Sequence, residues 1–306
     1  MNDDKIPIIA VVGPTASGKS EFAVRLAEKY NGEIVSADSM QIYKQMNIGS
    51  AKPSKEEMKG IPHYLIDFLD ISEEFSVADY VNAAHQCIKD IHFRDKLPII
   101  CGGTGLYVNS LIDNIKFKEN NVDESLREHL NKKAEIEGIE SLLTELNEFD
   151  PESYERLSNT KNARRIIRAI EIYKATGITM TEQIKNSRNS PSPYNAKIIG
   201  LDFKDRSDLY KKINDRVDKM VEKGLVEEAQ EILKMPYSKT SMGAIGYKEF
   251  IPYFNGEMPL DCCIERIKIN TRHYAKRQIT WFKRDKRVRW IIRNDREDLL
   301  YYFEKL

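Results

Sequence analysis

Cysteine is scarce in this 306-residue chain. The four present, Cys87, Cys101, Cys262 and Cys263, form no CxxC pair and keep no Cys/His ligand spacing. That excludes a disulfide framework and a structural zinc site, and it suits a reducing cytoplasm. Long hydrophobic runs are missing too. The early apolar run from Ile6 to Val12 is far short of the ~20 residues that cross a bilayer. It follows Asp3-Asp4 rather than the basic flank of a signal peptide, so no membrane partner is expected. No repeat, low-complexity tract or obvious linker interrupts the chain. Net charge is absent as well: Lys plus Arg and Asp plus Glu each total 48, which taken alone argues against a nucleic-acid partner. What remains is 41% hydrophobic and 31% charged, a globular composition with length for about two domains.

The zero is a sum of opposed blocks. Residues 1–110 carry 11 basic and 15 acidic side chains, residues 119–155 carry 3 and 12, and residues 266–296 carry 12 and 2. A smaller basic knot consists of Lys161, Arg164, Arg165 and Arg168. One such block reads as a solvated helix face. Two of them, the larger interleaved with Tyr274, Trp281, Phe282 and Trp290, predict a surface for a polyanion.

Short apolar runs at Ile6–Val12, Glu33–Ser36, His63–Leu69 and Leu97–Cys101 read as buried strands, alternating with helical stretches at 19–30 and 77–93. Ser76 and Asp79 supply a capping box for the second helix. The pattern predicts an α/β fold with a parallel sheet. From about Asp123 to Lys185 helix formers take over, strand character returns at 196–203, and helices follow at 206–223, 225–234 and 260–283. A strand at 288–292 and a last helix from Arg296 complete the chain. The expected organisation is a P-loop NTPase-like core from residues 1–115 and 196–306, with a mostly helical insertion at 116–195 and a basic helical C-terminal part. Cys262 and Cys263 read as small buried residues of a helix.

Gly13-Pro14-Thr15-Ala16-Ser17-Gly18-Lys19-Ser20 matches GxxxxGK[ST] between a strand and a helix, the context that gives the motif meaning. Backbone amides and the helix N-terminus cradle a diphosphate, Lys19 adds a cation, and Ser20 is placed to hold Mg²⁺. The loop reads phosphates and not their substituent, so a nucleotide such as ATP and a short diphosphate ester both remain open. The strand 97–101 runs into Gly-Gly-Thr instead of the aspartate of an NTPase, which weakens the hydrolase reading. Asp67 could substitute, or serve as a surface or capping residue. Asp38 and Thr104 each follow a strand and should reach the carboxyl edge of the sheet, where ligands bind. A base and a hydroxyl beside a diphosphate suit transfer of its organic group to an acceptor that must lose a proton. A lone aspartate after a strand is also a common cap or turn residue.

GPTASGKS (13–20), SADSMQIYKQMNIGSAKPS (36–54), PHYLID (62–67), FSVADY (75–80), GGTGLYV (102–108), RRIIRAIEIY (164–173), GAIGYKE (243–249) and TRHYAKRQITWFKRD (271–285) together resemble the bacterial tRNA dimethylallyltransferases, in order and along most of the chain. The resemblance implies transfer of a dimethylallyl group from dimethylallyl diphosphate to N6 of the adenosine 3′ of the anticodon, in tRNAs reading U-starting codons, with Mg²⁺ as cofactor. It implies Asp38 as general base, with Thr104 and Arg216 as catalytic partners and the 13–20 loop on the diphosphate. Its tRNA contacts fall on Asp38, Ser39, Met40, Gln41, Thr104, Arg127 and the stretch Arg164, Arg165, Ile166, Ile167 and Arg168. Arg272, Lys276 and Arg277 of the large basic block join them. The partner is a tRNA anticodon stem-loop, and a monomer without an obligate protein partner is expected. Eukaryotic relatives append a zinc finger whose Cys/His set is missing here, so the bacterial type is implied.

The chemistry is consistent. An exocyclic adenine amine is a weak nucleophile, so neutralising the leaving diphosphate must make the allylic carbon electrophilic, and the base must be drawn out of its stack to react. Rival readings fit less well. An isopentenyltransferase for free AMP, ADP or ATP needs no insertion or basic C-terminal segment. A P-loop small-molecule kinase offers no reason for two separated basic clusters.

Overall fold

A computed structural model describes residues 5–117, 124–187, 190–293 and 299–305. It divides into two compact units, Met1–Ile112 with Ser192–Leu306, and Asp113–Pro191.

The first unit is built on a six-stranded, all-parallel sheet of β1 (Ile6–Val12), β2 (Gly32–Ser36), β3 (His63–Tyr64), β4 (Leu97–Cys101), β5 (Tyr194–Phe203) and β6 (Arg289–Arg293), in the order β3-β2-β4-β1-β5-β6. The unbroken apolar run of β1 follows from its central place, because both of its faces are covered. Ile8, Ala10 and Val12 pack with Tyr80, Ala84 and Ile88 of the helix Val77–Phe93. Ile9 and Val11 pack with Phe22 and Leu26 of the helix Lys19–Tyr30. The capping box forms: Ser76 Oγ accepts from Asp79 N–H, and the Asp79 carboxylate accepts from Ser76 N–H. The chain leaves β1 towards β2 on one side and leaves β4 towards β5 on the other. The carboxyl ends of β1 and β4 therefore flank the crevice where such sheets bind ligands. Beyond that edge a separate apolar cluster joins Ile42, Tyr43 and Ile71 to Val217, Leu225, Tyr247 and Ile267.

The second unit is helical, with helices Glu124–Glu137, Ile139–Phe149, Pro151–Ser158, Ala163–Thr176 and Met180–Ser187 around Leu130, Leu142, Leu146, Ile166 and Ile170. Asp150 fixes one corner. Its carboxylate accepts from Ser153 N–H, Thr181 N–H and Thr181 Oγ1–H.

Several expectations change. The strand expected over His63–Leu69 stops at Tyr64, because Leu65 and Asp67 adopt left-handed φ values of 58° and 60°, which extended backbone cannot hold. The chain turns to pair Phe68 N–H with Ile42 O and Lys44 N–H with Leu69 O. Cys263 is buried as expected, but Cys262 is exposed. Arg296 lies outside the described residues, and the last helix is Leu299–Glu304. Among the described residues no helix is long and apolar enough to cross a membrane.

Candidate active site

The 13–20 loop closes because Gly13 can do what no other residue can. Its φ is 140°, and a Cβ there would overlap the carbonyl of Leu201 on the neighbouring strand. The loop delivers Thr15, Lys19 and Ser20 to one wall of a cavity of about 350 Å³ at the carboxyl edge of the sheet. Lys19 Nζ donates to Pro14 O at 2.7 Å. Desolvation lowers the Lys19 ammonium to about 8. Cys101 and Asp38 oppose that shift, and Arg216 adds to it. An ammonium held this way gains most from an arriving anion.

Asp38 and Arg216 line the same cavity. Asp38 follows β2, and its Oδ1 accepts from Met40 N–H at 2.9 Å and Gln41 N–H at 3.4 Å. Among the described residues its Oδ2 has no hydrogen-bond partner, so one oxygen is anchored and the other can receive a proton. Arg216 comes from the helix Arg206–Glu222. Burial draws its guanidinium below the usual arginine value, and Asp38 and Glu57 partly offset this. A loop cation, an arginine and a carboxylate from three distant segments therefore converge.

Thr104 is not part of the cavity wall. Its Oγ1 accepts from Ser39 N–H at 3.1 Å and lies 3.3 Å from Ser39 Oγ, while its own N–H donates to Ala37 O at 3.1 Å. It braces the turn that carries Asp38. Ser39, Met40 and Gln41 do line the cavity, but the Gln41 side-chain amide donates to Ser50 O and Ala51 O, tying the 49–53 loop to that wall. The carboxylate of Glu228 holds the same loop from outside, accepting from Asn47, Ile48 and Gly49 N–H and from Tyr247 O–H.

Sequence reasoning passed over Thr271 and Gln278 of the helix Leu260–Phe282, and it read Tyr274 and Arg277 only as part of a polyanion surface. Thr271, Tyr274 and Gln278 recur on one helical face and all line the cavity, as does Arg277. Burial and nearby Asp38 push the Tyr274 phenol up to about 12, against the pull of Thr104, Arg277 and Gln278. The signal was the 3–4–residue spacing inside TRHYAKRQITWF, masked by the surrounding charge.

The aromatics of the basic block mostly serve packing rather than stacking on a ligand. Phe282 is buried, Trp281 and Trp290 pack on the sheet core, and Trp281 Nε1–H donates to Asn109 Oδ1. Arg272 is held by Asn214 and Glu265, whereas Lys276 and Arg277 are exposed. In the helical unit Arg164 and Arg165 face solvent, but Ile166 and Ile167 are buried in that unit's core, so their side chains cannot contact a tRNA. Arg127 forms a bidentate pair with buried Glu171, at 2.7 and 3.1 Å, and Arg168 meets the same carboxylate at 3.4 Å. Their charge is largely committed within the unit. Asp67, the alternative magnesium-supporting residue, lies outside the cavity wall in an ion pair with Lys52 at 2.5 Å.

Among the described residues no group of three or more His, Cys, Asp or Glu side chains converges. Beside the Asp38 carboxylate, the cavity offers the hydroxyls of Thr15 and Ser20 from the loop and that of Ser36, which is buried and has no partner among the described residues. A hard cation that keeps several waters and takes the rest of its oxygens from a phosphate ester fits such a sparse donor set, which is the habit of Mg²⁺.

Comparison with known proteins agrees with this geometry. The model of a family described as IPP transferase matches residues 41–285. A tRNA dimethylallyltransferase of Caldanaerobacter subterraneus subsp. tengcongensis is 50% identical, over 95% of this chain and 93% of that protein. One of Acetivibrio thermocellus is 46% identical, over 94% and 92%. The crystal structure of the full-length tRNA isopentenylpyrophosphate transferase of Bacillus halodurans has a TM-score of 0.72 at 42% identity, covering 98% of this chain and 94% of that one. A eukaryotic dimethylallyltransferase acting on tRNA has a TM-score of 0.82 at 29% identity, covering 98% and 77%. With a family match across most of its length and relatives near half identity, this chain belongs to the IPP transferase family, among the tRNA dimethylallyltransferases.

Proposed function

We propose that the protein transfers the dimethylallyl group of dimethylallyl diphosphate to N6 of the adenosine 3′-adjacent to the anticodon in tRNAs reading U-starting codons, releasing diphosphate. The observation that carries this reading is the convergence of Lys19, Arg216 and Asp38 on one cavity. The same cavity has an apolar side formed by Val217, Met220, Leu225, Ile245 and Ile267. Cations suit the diphosphate and the apolar side suits a five-carbon chain.

The loop amides, Lys19 and Arg216 bind the diphosphate and stabilise the charge it gains as the allylic C–O bond breaks. The carbon then bonds to N6, and Asp38 Oδ2 takes the proton that N6 loses. Mg²⁺ held through Ser20 would further neutralise the leaving group. Ser39, Met40 and Gln41 lie beside Asp38 on the wall that meets the adenosine, while exposed Arg164, Arg165, Lys276 and Arg277 suit the tRNA phosphates. The reading has the enzyme act as a monomer in the cytoplasm. Free-nucleotide acceptors would give no use to those exposed arginines.

The test incubates the protein with Mg²⁺, labelled dimethylallyl diphosphate and unmodified tRNA carrying A-A-A at and after the third anticodon position. Label is expected in tRNA and none in AMP. Label in AMP instead, or movement of the γ-phosphate of ATP, would overturn the reading.

A further inference from the structure

The helix Leu260–Phe282 reaches into the crevice with one neutral side chain whose two ends are both committed. Gln278 Oε1 accepts from Thr15 N–H at 2.8 Å, and Gln278 Nε2 donates to Gly103 O at 3.0 Å. These partners are 263 and 175 residues away in sequence. One belongs to the phosphate loop after β1 and the other to the turn after β4. The fit leaves no slack, because a Cβ on Gly103 would overlap Gln278 Nε2. Gln278 itself is 5% exposed.

The turn after β4 is in turn bound to the base. Thr104 N–H donates to Ala37 O and Thr104 Oγ1 accepts from Ser39 N–H, so residues on both sides of Asp38 hang from the segment that Gln278 holds. A continuous chain of hydrogen bonds thus runs from the phosphate loop through Gln278 and Thr104 to the Asp38 turn. In a transfer reaction the distance between the leaving group and the base decides whether the acceptor nitrogen can reach the carbon while its proton is taken. A misplacement of about 1 Å can cost about a hundredfold in rate.

We infer that Gln278 is a positioning residue that fixes the separation of the diphosphate cradle from the Asp38 carboxylate, without itself touching the reacting atoms. This rests on the proposed function, and of its tests only the diphosphate titration is independent of that reading. An amide is the one side chain of this length that can accept from Thr15 and donate to Gly103 at every pH. Leucine of similar volume can do neither. An ionised glutamate accepts from Thr15 N–H but has no proton for Gly103 O, and it regains one when protonated.

Four measurements on full-length Gln278→Leu and Gln278→Glu decide the matter. For Gln278→Leu, turnover should fall ~10–100-fold, affinity for inorganic diphosphate with Mg²⁺ should fall several-fold, and tRNA affinity should stay within about twofold of wild type. For Gln278→Glu, the turnover ratio to wild type should rise as pH falls, a profile that mere loss of stability would not produce. Wild-type turnover in Gln278→Leu, or a Gln278→Glu ratio flat with pH together with unchanged diphosphate affinity, overturns the inference. The diphosphate titration needs no prenyl transfer. A wild-type protein that binds diphosphate but prenylates no tRNA therefore counts against the proposed function, and unchanged affinity in Gln278→Leu counts against the positioning role.

Discussion

Diphosphate binding should weaken as pH rises through 8, and Lys19 sets the slope. In the free protein the Lys19 ammonium is drawn down to about 8 by desolvation, with its Nζ turned onto Pro14 O. A bound diphosphate supplies the missing counter-charge and raises that value again. Below pH 8 the ammonium is already present. Above it, each binding event must first take up a proton. With a free-state value near 8, the apparent dissociation constant scales as 1 + 10^(pH − 8), so it rises about tenfold between pH 7 and pH 9, or ~1.4 kcal/mol. Calorimetric titration with diphosphate and Mg²⁺ at the two pH values measures this. Because diphosphate titrates as well, the quantity to follow is the ratio of wild type to Lys19→Met, in which the ligand's own ionisation cancels. A ratio that does not change with pH would refute the reasoning.

Other perturbations have separate signatures. Glu228→Ala strips acceptors from three successive amides and the Tyr247 hydroxyl. Because Glu228 is half-buried and water can partly replace it, the cost should be ~2 kcal/mol, a fall of about 3 °C in Tm for a chain this long. A change within about 0.5 kcal/mol would show that the 47–49 loop does not need this carboxylate. Gly103→Ala should force Gln278 aside and reproduce the turnover loss of Gln278→Leu, with ~1–3 kcal/mol of destabilisation from overpacking. Full activity in a stable Gly103→Ala would contradict the close contact. Arg164→Ala combined with Arg165→Ala should weaken tRNA binding and flatten its salt dependence while leaving diphosphate affinity unchanged, read by anisotropy against salt.

Much of the core was readable because local physics decides it. Ile6–Val12 had to be a doubly buried strand, the glycines and Lys19 had to form a phosphate loop, and Ser76 with Asp79 had to start a helix. Asp38 was legible by position, since a residue just after a parallel strand reaches the carboxyl edge, although β4 stands between β2 and the loop strand β1. Long-range geometry was not legible. A glutamine in a basic helix has no chemistry of its own, and only the approach of residues 15 and 103 gives Gln278 a role. Trp281 and Trp290 read as part of a polyanion surface because they are interleaved with basic residues, yet they fill space beside Gly105 and Gly200. The 63–69 strand failed at Leu65, where a left-handed turn, invisible to apolar patterning, serves pairing with residues 42–44. The neutral charge sum hid the basic C-terminal block, and the structure divides that block again, into residues committed to ion pairs and a few that face solvent.

The most direct test of the account is Asp38→Asn, which keeps the Oδ1 acceptor for the Met40 and Gln41 amides and removes only the oxygen assigned to the proton. Single-turnover transfer of labelled dimethylallyl to tRNA should fall ~10²–10⁴-fold, while tRNA and diphosphate affinities stay within a few-fold of wild type. Transfer at a near wild-type rate would contradict Asp38 as the base and, with it, the mechanism built on this cavity.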